Sequence, residues 1–136
     1  MGVIIDGFYL GRKRCRLVHE PSGSEIMTDA PRDNAGEGAL FSPTDLVAAG
    51  VGSCMMTVMG ILADRSGLDL PGMRMRVVKE MRSDPRRIGS LAIEMHLPAA
   101  LGAEDRVKLE RAADACPAAR SMHAEVRHEV TFFYDV

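Results

Sequence analysis

The stretch 42–65, SPTDLVAAGVGSCMMTVMGILADR, constrains this chain more than any other. It opens as a helix start: a Ser42 hydroxyl for the N-cap, Pro43 at the first helical position, and Asp45 placed to return a hydrogen bond to the cap. Beyond it Leu46, Val47, Val51, Met55, Met56, Val58, Met59, Ile61 and Leu62 wrap the full circumference, and no charged residue stands between Asp45 and Asp64. A helix apolar all round is expected to be buried on all sides. At about 1.5 Å per residue it is about 30 Å long, which is also a membrane-spanning length. Gly50, Gly52 and Ser53, however, put small residues at mid-span. The stretch therefore reads as a core helix with other structure, or another subunit, packed close to its glycines. Cys54 sits in the middle of it and is either packing or chemistry.

The rest of the composition narrows the class. With 136 residues, 46% hydrophobic and 26% charged, the chain fits a single globular domain, 1–136, that can bury a core. A net charge of −2 gives no general attraction to phosphate backbones, despite the basic run Arg12, Lys13, Arg14, Arg16, so nucleic acid is a poor partner. No charged segment followed by a long apolar stretch opens the sequence, and Gly2 is not followed by Ser or Thr at position 6. Neither secretion nor myristoylation is indicated, and a cytoplasmic location is expected. Three cysteines, an odd number, argue against a disulfide framework and leave catalysis, metal binding or burial.

Alternation predicts antiparallel strands in 3–29. From residue 12 to residue 19 arginines and apolar residues alternate, with Arg14, Arg16 and Val18 on one face and Cys15, Leu17 and His19 on the other. Pro21, Ser22 and Gly23 supply a turn, 24–28 returns as a hairpin partner, and 29–41 is a loop into the central helix. After the helix, 73–82 alternates again, and 88–97 is a strand with Leu91, Ile93, Met95 and Leu97 on one face. Residues 103–115 carry Leu109, Ala112, Ala113 and Cys116 at helical spacing, and Pro117 stops that helix. Cys116 can then cap a short helix over 117–123. A last strand, 126–134, points Val126, His128, Val130, Phe132 and Tyr134 one way. The order is that of an α+β domain.

The thiols differ. Cys54 alone reads as burial, since free cysteine behaves as a small hydrophobe. Cys116 at a helix N-terminus is expected to favour the thiolate, and a lowered pKa is what makes a cysteine reactive. Cys54 lies about ten residues into its helix, beyond reach of the dipole at that end. If it is reactive it needs a positive partner from elsewhere, and the arginine-rich first strand is the obvious supply. Cys15, on the face opposite Arg14, reads as packing. The four histidines do not gather with cysteines at zinc-like spacing, and GxSxG, GxGxxG and Walker motifs are absent. The ten methionines suit an adaptable core better than a cofactor box.

The run SPTDLVAAGVGSC, with its cysteine inside an apolar helix, the later CPAARSM, and the upstream KRCRLVHEPSGSEIMTDAPRDNAGEGALFSPTDL together resemble the OsmC/Ohr family of osmotically inducible and organic hydroperoxide resistance proteins. The resemblance implies a thiol-dependent peroxidase needing no bound cofactor. It also implies a homodimer, intertwined so that two central helices lie buried back to back, wrapped by antiparallel sheets. It makes Cys54 the peroxidatic thiol, Cys116 the resolving thiol, and Arg14 the arginine that holds Cys54 as thiolate across the dimer interface, with Arg16 and Arg32 as alternatives. An external thiol would reduce the Cys54–Cys116 disulfide.

The Ohr branch carries a glutamate directly after the motif's proline, where this chain has Thr44, and Asp45 comes one residue later, about 100° around the helix. The sequence thus sits with the broader OsmC-like group, and Asp45 is either catalytic or a helix cap. The alternative function is a non-catalytic dimeric binding or scaffold protein that keeps the fold.

Overall fold

The computed structural model describes residues 2–136 and divides into two compact units, Met1–Val47 and Ala48–Val136. It is an α+β chain, as the alternating and helical patterns predict.

The N-terminal unit is an antiparallel meander of β1 (Ile5–Gly11), β2 (Arg14–His19) and β3 (Glu25–Asp29). The first connection is a two-residue turn in which Arg12 and Lys13 both have positive φ, 56° and 60°, as a tight hairpin of this hand requires. The Lys13 N–H donates to the Tyr9 hydroxyl at 3.1 Å. Arg12 therefore lies in the turn, and the strand expected from residue 12 begins at Arg14. The second hairpin pairs Arg14 with Asp29, Cys15 with Thr28 and Val18 with Glu25. Asp29, expected to open the loop, instead closes β3, and its N–H donates to the Phe41 carbonyl at 3.1 Å.

Segment 30–41 folds on itself through Gly36 N–H to the Pro31 carbonyl and Gly38 N–H to the Ala30 carbonyl, at 3.0 and 3.1 Å. Gly36 has no room for a side chain, because a Cβ would stand 1.8 Å from the Ala30 oxygen. The segment leads into α1 (Pro43–Ser66) through a reciprocal cap. Ser42 Oγ accepts the Asp45 N–H at 3.1 Å while Asp45 Oδ2 accepts the Ser42 N–H at 2.8 Å.

In the C-terminal unit a sheet of β4 (Arg74–Arg82), β5 (Arg87–Leu97) and β6 (Arg127–Tyr134) packs against α1 and α2 (Ala103–Asp114). β4 and β5 are antiparallel, but β6 joins β5 in parallel, which corrects the expectation of antiparallel pairing throughout. The reason is the connection: α2 and the short α3 (Pro117–Arg120) form a crossover long enough to return the chain to the same end of the sheet. β5 is the centre of the core, with Leu91, Ile93, Met95 and Leu97 fully buried on one face.

β6 is tied to α2 through polar contacts. Tyr134 donates to Glu110 Oε2 at 2.6 Å, and the Arg106 guanidinium lies 4.1 Å from the centre of the tyrosine ring. Arg106 in turn donates to the Leu101 and Ala99 carbonyls at 2.8 and 2.9 Å, bracing the start of α2. Burial and then the Glu110 contacts hold the Tyr134 proton well above the ordinary phenol range.

Within one chain the burial of α1 is one-sided. Ala48, Val51, Gly52, Met55, Met59 and Ala63 form the covered face. Gly52 marks the closest approach, since a Cβ there would lie 2.9 Å from the Met75 sulfur and 3.0 Å from Val77 Cγ2. Along the other side Gly50, Ser53, Thr57 and Ile61, spaced three or four apart, make an exposed stripe flanked by Val47. Among the described residues this is the one helix long and apolar enough to cross a membrane.

Two substitutions probe this packing in urea unfolding. Ser42→Ala should cost about 1 kcal/mol by removing the cap acceptor. Gly52→Val should cost about 1–3 kcal/mol, because the branched side chain must displace Val77 on β4.

Candidate active site

Two reduced thiols come together in the C-terminal unit. Cys116 follows the end of α2 and takes extended backbone angles, φ −62° and ψ 133°, because Pro117 occupies the first position of α3. Its sulfur caps that helix, accepting the Ala119 N–H at 3.3 Å. The thiol is fully buried and points its S–H toward the Val51 carbonyl of α1 at 4.0 Å. Cys54 stands three residues along the same helix and is near enough to Cys116 to perturb its thiol. It is half-buried, at the border between the covered face of α1 and the exposed stripe.

The capping role expected of Cys116 is therefore present, but the expected electrostatic outcome is reversed. Burial pushes the Cys116 thiol up from its ordinary range and outweighs the Ala119 and Ala118 amides, which pull it down. The adjoining Cys54 raises it further. The expectation that Cys116 favours the thiolate is corrected: desolvation wins over a helix end of one turn.

Arg14 lies in the N-terminal unit, where two carboxylates flank it. Its Nη2 is 2.8 Å from Glu37 Oε2 and 3.8 Å from Asp29 Oδ2. The Asp29 side chain is wholly buried, and its Oδ2 also accepts the Ala39 N–H at 3.0 Å. Glu37 uses its other oxygen to hold Arg12 at 2.6 Å. Arg14 Nε and Asp29 Oδ1 are both buried with no hydrogen-bond partner.

The alternative arginines are committed elsewhere in the same unit. Arg16 pairs with Glu25 and lies over the Phe8 ring, 4.6 Å from its centre. Arg32 donates from Nε to the Glu37 carbonyl at 3.2 Å. Asp45 serves the helix cap. Cys15 is half-buried opposite Tyr9 and Thr28.

Asp29 and Glu37 were not singled out from the sequence. The signal for Asp29 lay in the hairpin: a chain turning about Pro21 and Ser22 puts residue 29 opposite residue 14, the register seen here. Glu37 had none, because its approach depends on how segment 30–41 coils.

The sequence profile of OsmC-like proteins matches residues 36–131 and takes in both Cys54 and Cys116. Among curated proteins no significant match is found. Of the solved structures, that of a candidate osmotic stress induced and detoxification response protein from Psychrobacter arcticus 273-4 is 36% identical, with a TM-score of 0.92 over 97% of each chain. The organic hydroperoxide resistance protein OsmC of Legionella pneumophila shares the fold at 19% identity and a TM-score of 0.78, covering 98% of this chain and 97% of its own. OhrB of Bacillus subtilis, an organic hydroperoxide resistance protein, does so at 17% identity and 0.70, covering 97% and 98%. A profile match across most of the sequence, together with a relative this similar over nearly its full length, shows that the chain belongs to the OsmC-like protein family.

Proposed function

We propose that this protein is a thiol-dependent peroxidase that reduces organic hydroperoxides, with Cys54 as the attacking and Cys116 as the resolving thiol. The observation that carries the reading is a buried thiol in the core with a second, half-buried thiol packed against that core near enough to perturb it. The hydroperoxide resistance of the Legionella and Bacillus relatives supplies the reaction class.

The Cys54 thiolate attacks the distal peroxide oxygen. An S–O bond forms, the O–O bond breaks, and the alkoxide leaves with the electron pair and takes up a proton as alcohol. Cys54 is now a sulfenic acid. Cys116 then attacks the sulfenic sulfur, an S–S bond forms, and hydroxide leaves as water with the proton from Cys116. An external thiol reductant in the cytoplasm supplies the two electrons that regenerate both thiols. Burial suits Cys116 to this second role: held protonated, it is a poor nucleophile toward peroxide but lies beside the one sulfur it must reach. Arg14 is the cation assigned to the Cys54 thiolate, and the apolar helix around Cys54 is a setting suited to an organic peroxide.

The working unit in this reading is a homodimer. The exposed stripe of α1 is built of small residues that let a second helix approach closely, and a Cβ on Gly50 or Gly60 would meet nothing within the chain. The N-terminal sheet leaves Ile5, Phe8, Tyr9, Leu10 and Ile26 exposed, an apolar load that a second copy would cover.

Four measurements check these statements. One equivalent of cumene hydroperoxide should remove two free thiols per chain; no loss would favour the scaffold alternative. Cys54→Ser should abolish that reaction, whereas Cys116→Ser should leave a single turnover with a sulfenic acid on Cys54 that dimedone traps. In iodoacetamide labelling followed by peptide mass spectrometry, Cys116 should stay protected near neutral pH and become modified only well above its ordinary pKa of 9.0, because its raised pKa keeps the proton on. Light scattering at micromolar concentration should give a dimer, and Gly50→Leu, which fills the stripe, should shift it toward monomer.

A further inference from the structure

The C-terminal sheet has a second concavity, on the face turned away from the thiols. Along β5 Leu91 belongs to the core that holds Cys116, so strand alternation puts its neighbour Ser90 on the opposite face. There a cleft of about 320 Å³, at the lower end of the range for small-molecule sites, is lined by Glu80 and Arg82 of β4, Gly89 and Ser90 of β5, and Glu125 and Arg127 where β6 begins. Strand register shapes it, since Ser90 pairs with Glu80 on one side and with Arg127 on the other. Gly89 is the extra residue of a bulge, because the next pair along β4 and β5 is Met81 with Ile88. A Cβ on Gly89 would stand 3.2–3.3 Å from Arg82 Cβ, Cγ and Cδ, so the missing side chain lets the arginine stem lie across the floor.

Three polar groups in the cleft are unused. Ser90 is only 8% exposed, and its hydroxyl has no hydrogen-bond partner among the described residues. A polar group so nearly buried calls for a partner, here one that enters from the cleft. Glu80 and Arg82 also make no ion pair among the described residues. The other two charges are engaged at longer range, Glu125 Oε2 3.5 Å from Arg87 and Arg127 Nη2 3.4 Å from Glu129 Oε1. Two acids and two arginines leave the lining without net charge, so it favours neither a simple anion nor a simple cation. What matches it is a molecule that carries both charges.

We propose that this cleft binds a small zwitterion, a molecule of dipeptide size with a free ammonium and a free carboxylate. Arg82 takes the carboxylate, for which its planar fork is suited, and Glu80 takes the ammonium. The Ser90 hydroxyl hydrogen-bonds the polar group between them. The site lies across the sheet from Cys54 and Cys116 and is independent of the peroxidase reading.

The test uses the full-length reduced protein, isotope-labelled for amide-resolved NMR, with glycylglycine as the probe. Glycylglycine should move the Gly89, Ser90 and Arg127 amides saturably, with a Kd in the millimolar range. Acetylating its amine or amidating its carboxylate should each weaken binding about tenfold, because each removes one hydrogen bond to a charged group. In Glu80→Gln the acetylated peptide should lose that disadvantage, and in Arg82→Gln the amidated one should. Both side chains are exposed, so these variants keep the fold, which melting curves confirm. Ser90→Ala should weaken glycylglycine about fivefold. The proposal is overturned by the absence of saturable shifts, or by acetate moving the same amides equally at the same concentration. It is overturned too if either charge variant keeps the full preference for the unblocked peptide, or if Ser90→Ala binds undiminished.

Discussion

The C-terminal unit depends on α1 being covered along one side only. A helix with no charge between Asp45 and Asp64 gains little from choosing which side to bury, so the choice is made by shape. Gly52 lets β4 come to contact distance, and the larger Val51, Met55 and Met59 fill the space around that approach. Apolar area removed from water contributes about 25 cal/mol per Å², so every side chain on the covered face favours this one orientation. The opposite stripe, with Gly50, Ser53 and Thr57, has little side chain to bury and presents backbone instead. Cys54 occupies the boundary, where a thiol is shielded enough to have an apolar setting and open enough to be reached.

The two cysteines show how the same neighbourhood separates their chemistry. Helix-terminal amides and desolvation act on Cys116 in opposite directions, and the terminus here belongs to a helix of a single turn. Such a short helix has almost no macrodipole to offer, so the contest is between about two amide contacts and complete burial, and burial prevails. A protonated Cys116 also donates toward the Val51 carbonyl, a contact that a thiolate could not make. In the proposed reaction, the proton that makes it a poor first nucleophile is the one needed when hydroxide departs from a sulfenic sulfur.

Much of this was legible in the residues. The cap of α1, the inward face of β5 and the Cys116 cap all follow from local rules: a hydroxyl and acid at set spacing, strict alternation, and a proline at the first helical position. The departures arise where distant segments decide. Parallel pairing of β6 is set by the crossover through α2, which no pattern within β6 reveals. The Arg12–Lys13 turn was hidden because neither residue is a glycine, so the alternation seemed to run through it. Asp29 reads as a loop residue beside Ala30 and Pro31, and only the register of the hairpin makes it a buried acid facing an arginine. The pairing of Cys54 with Cys116 spans the whole C-terminal unit, and the family resemblance was needed to suggest it.

The arrangement around Arg14 also constrains how that side chain can act. A guanidinium between Asp29 and Glu37 carries no surplus positive charge over its immediate surroundings, so its long-range field is largely cancelled. What it retains is direction. Arginine presents its N–H groups in a rigid planar fork, and fixing Nη2 on two carboxylates fixes the vector of Nε as well. A lysine in the same place would meet the acids with a freely rotating ammonium, which has no planar fork to hold its remaining donor in one direction. The strand residue is thus held in one orientation against Asp29 and Glu37, at ion-pair range, instead of projecting a free charge into solution.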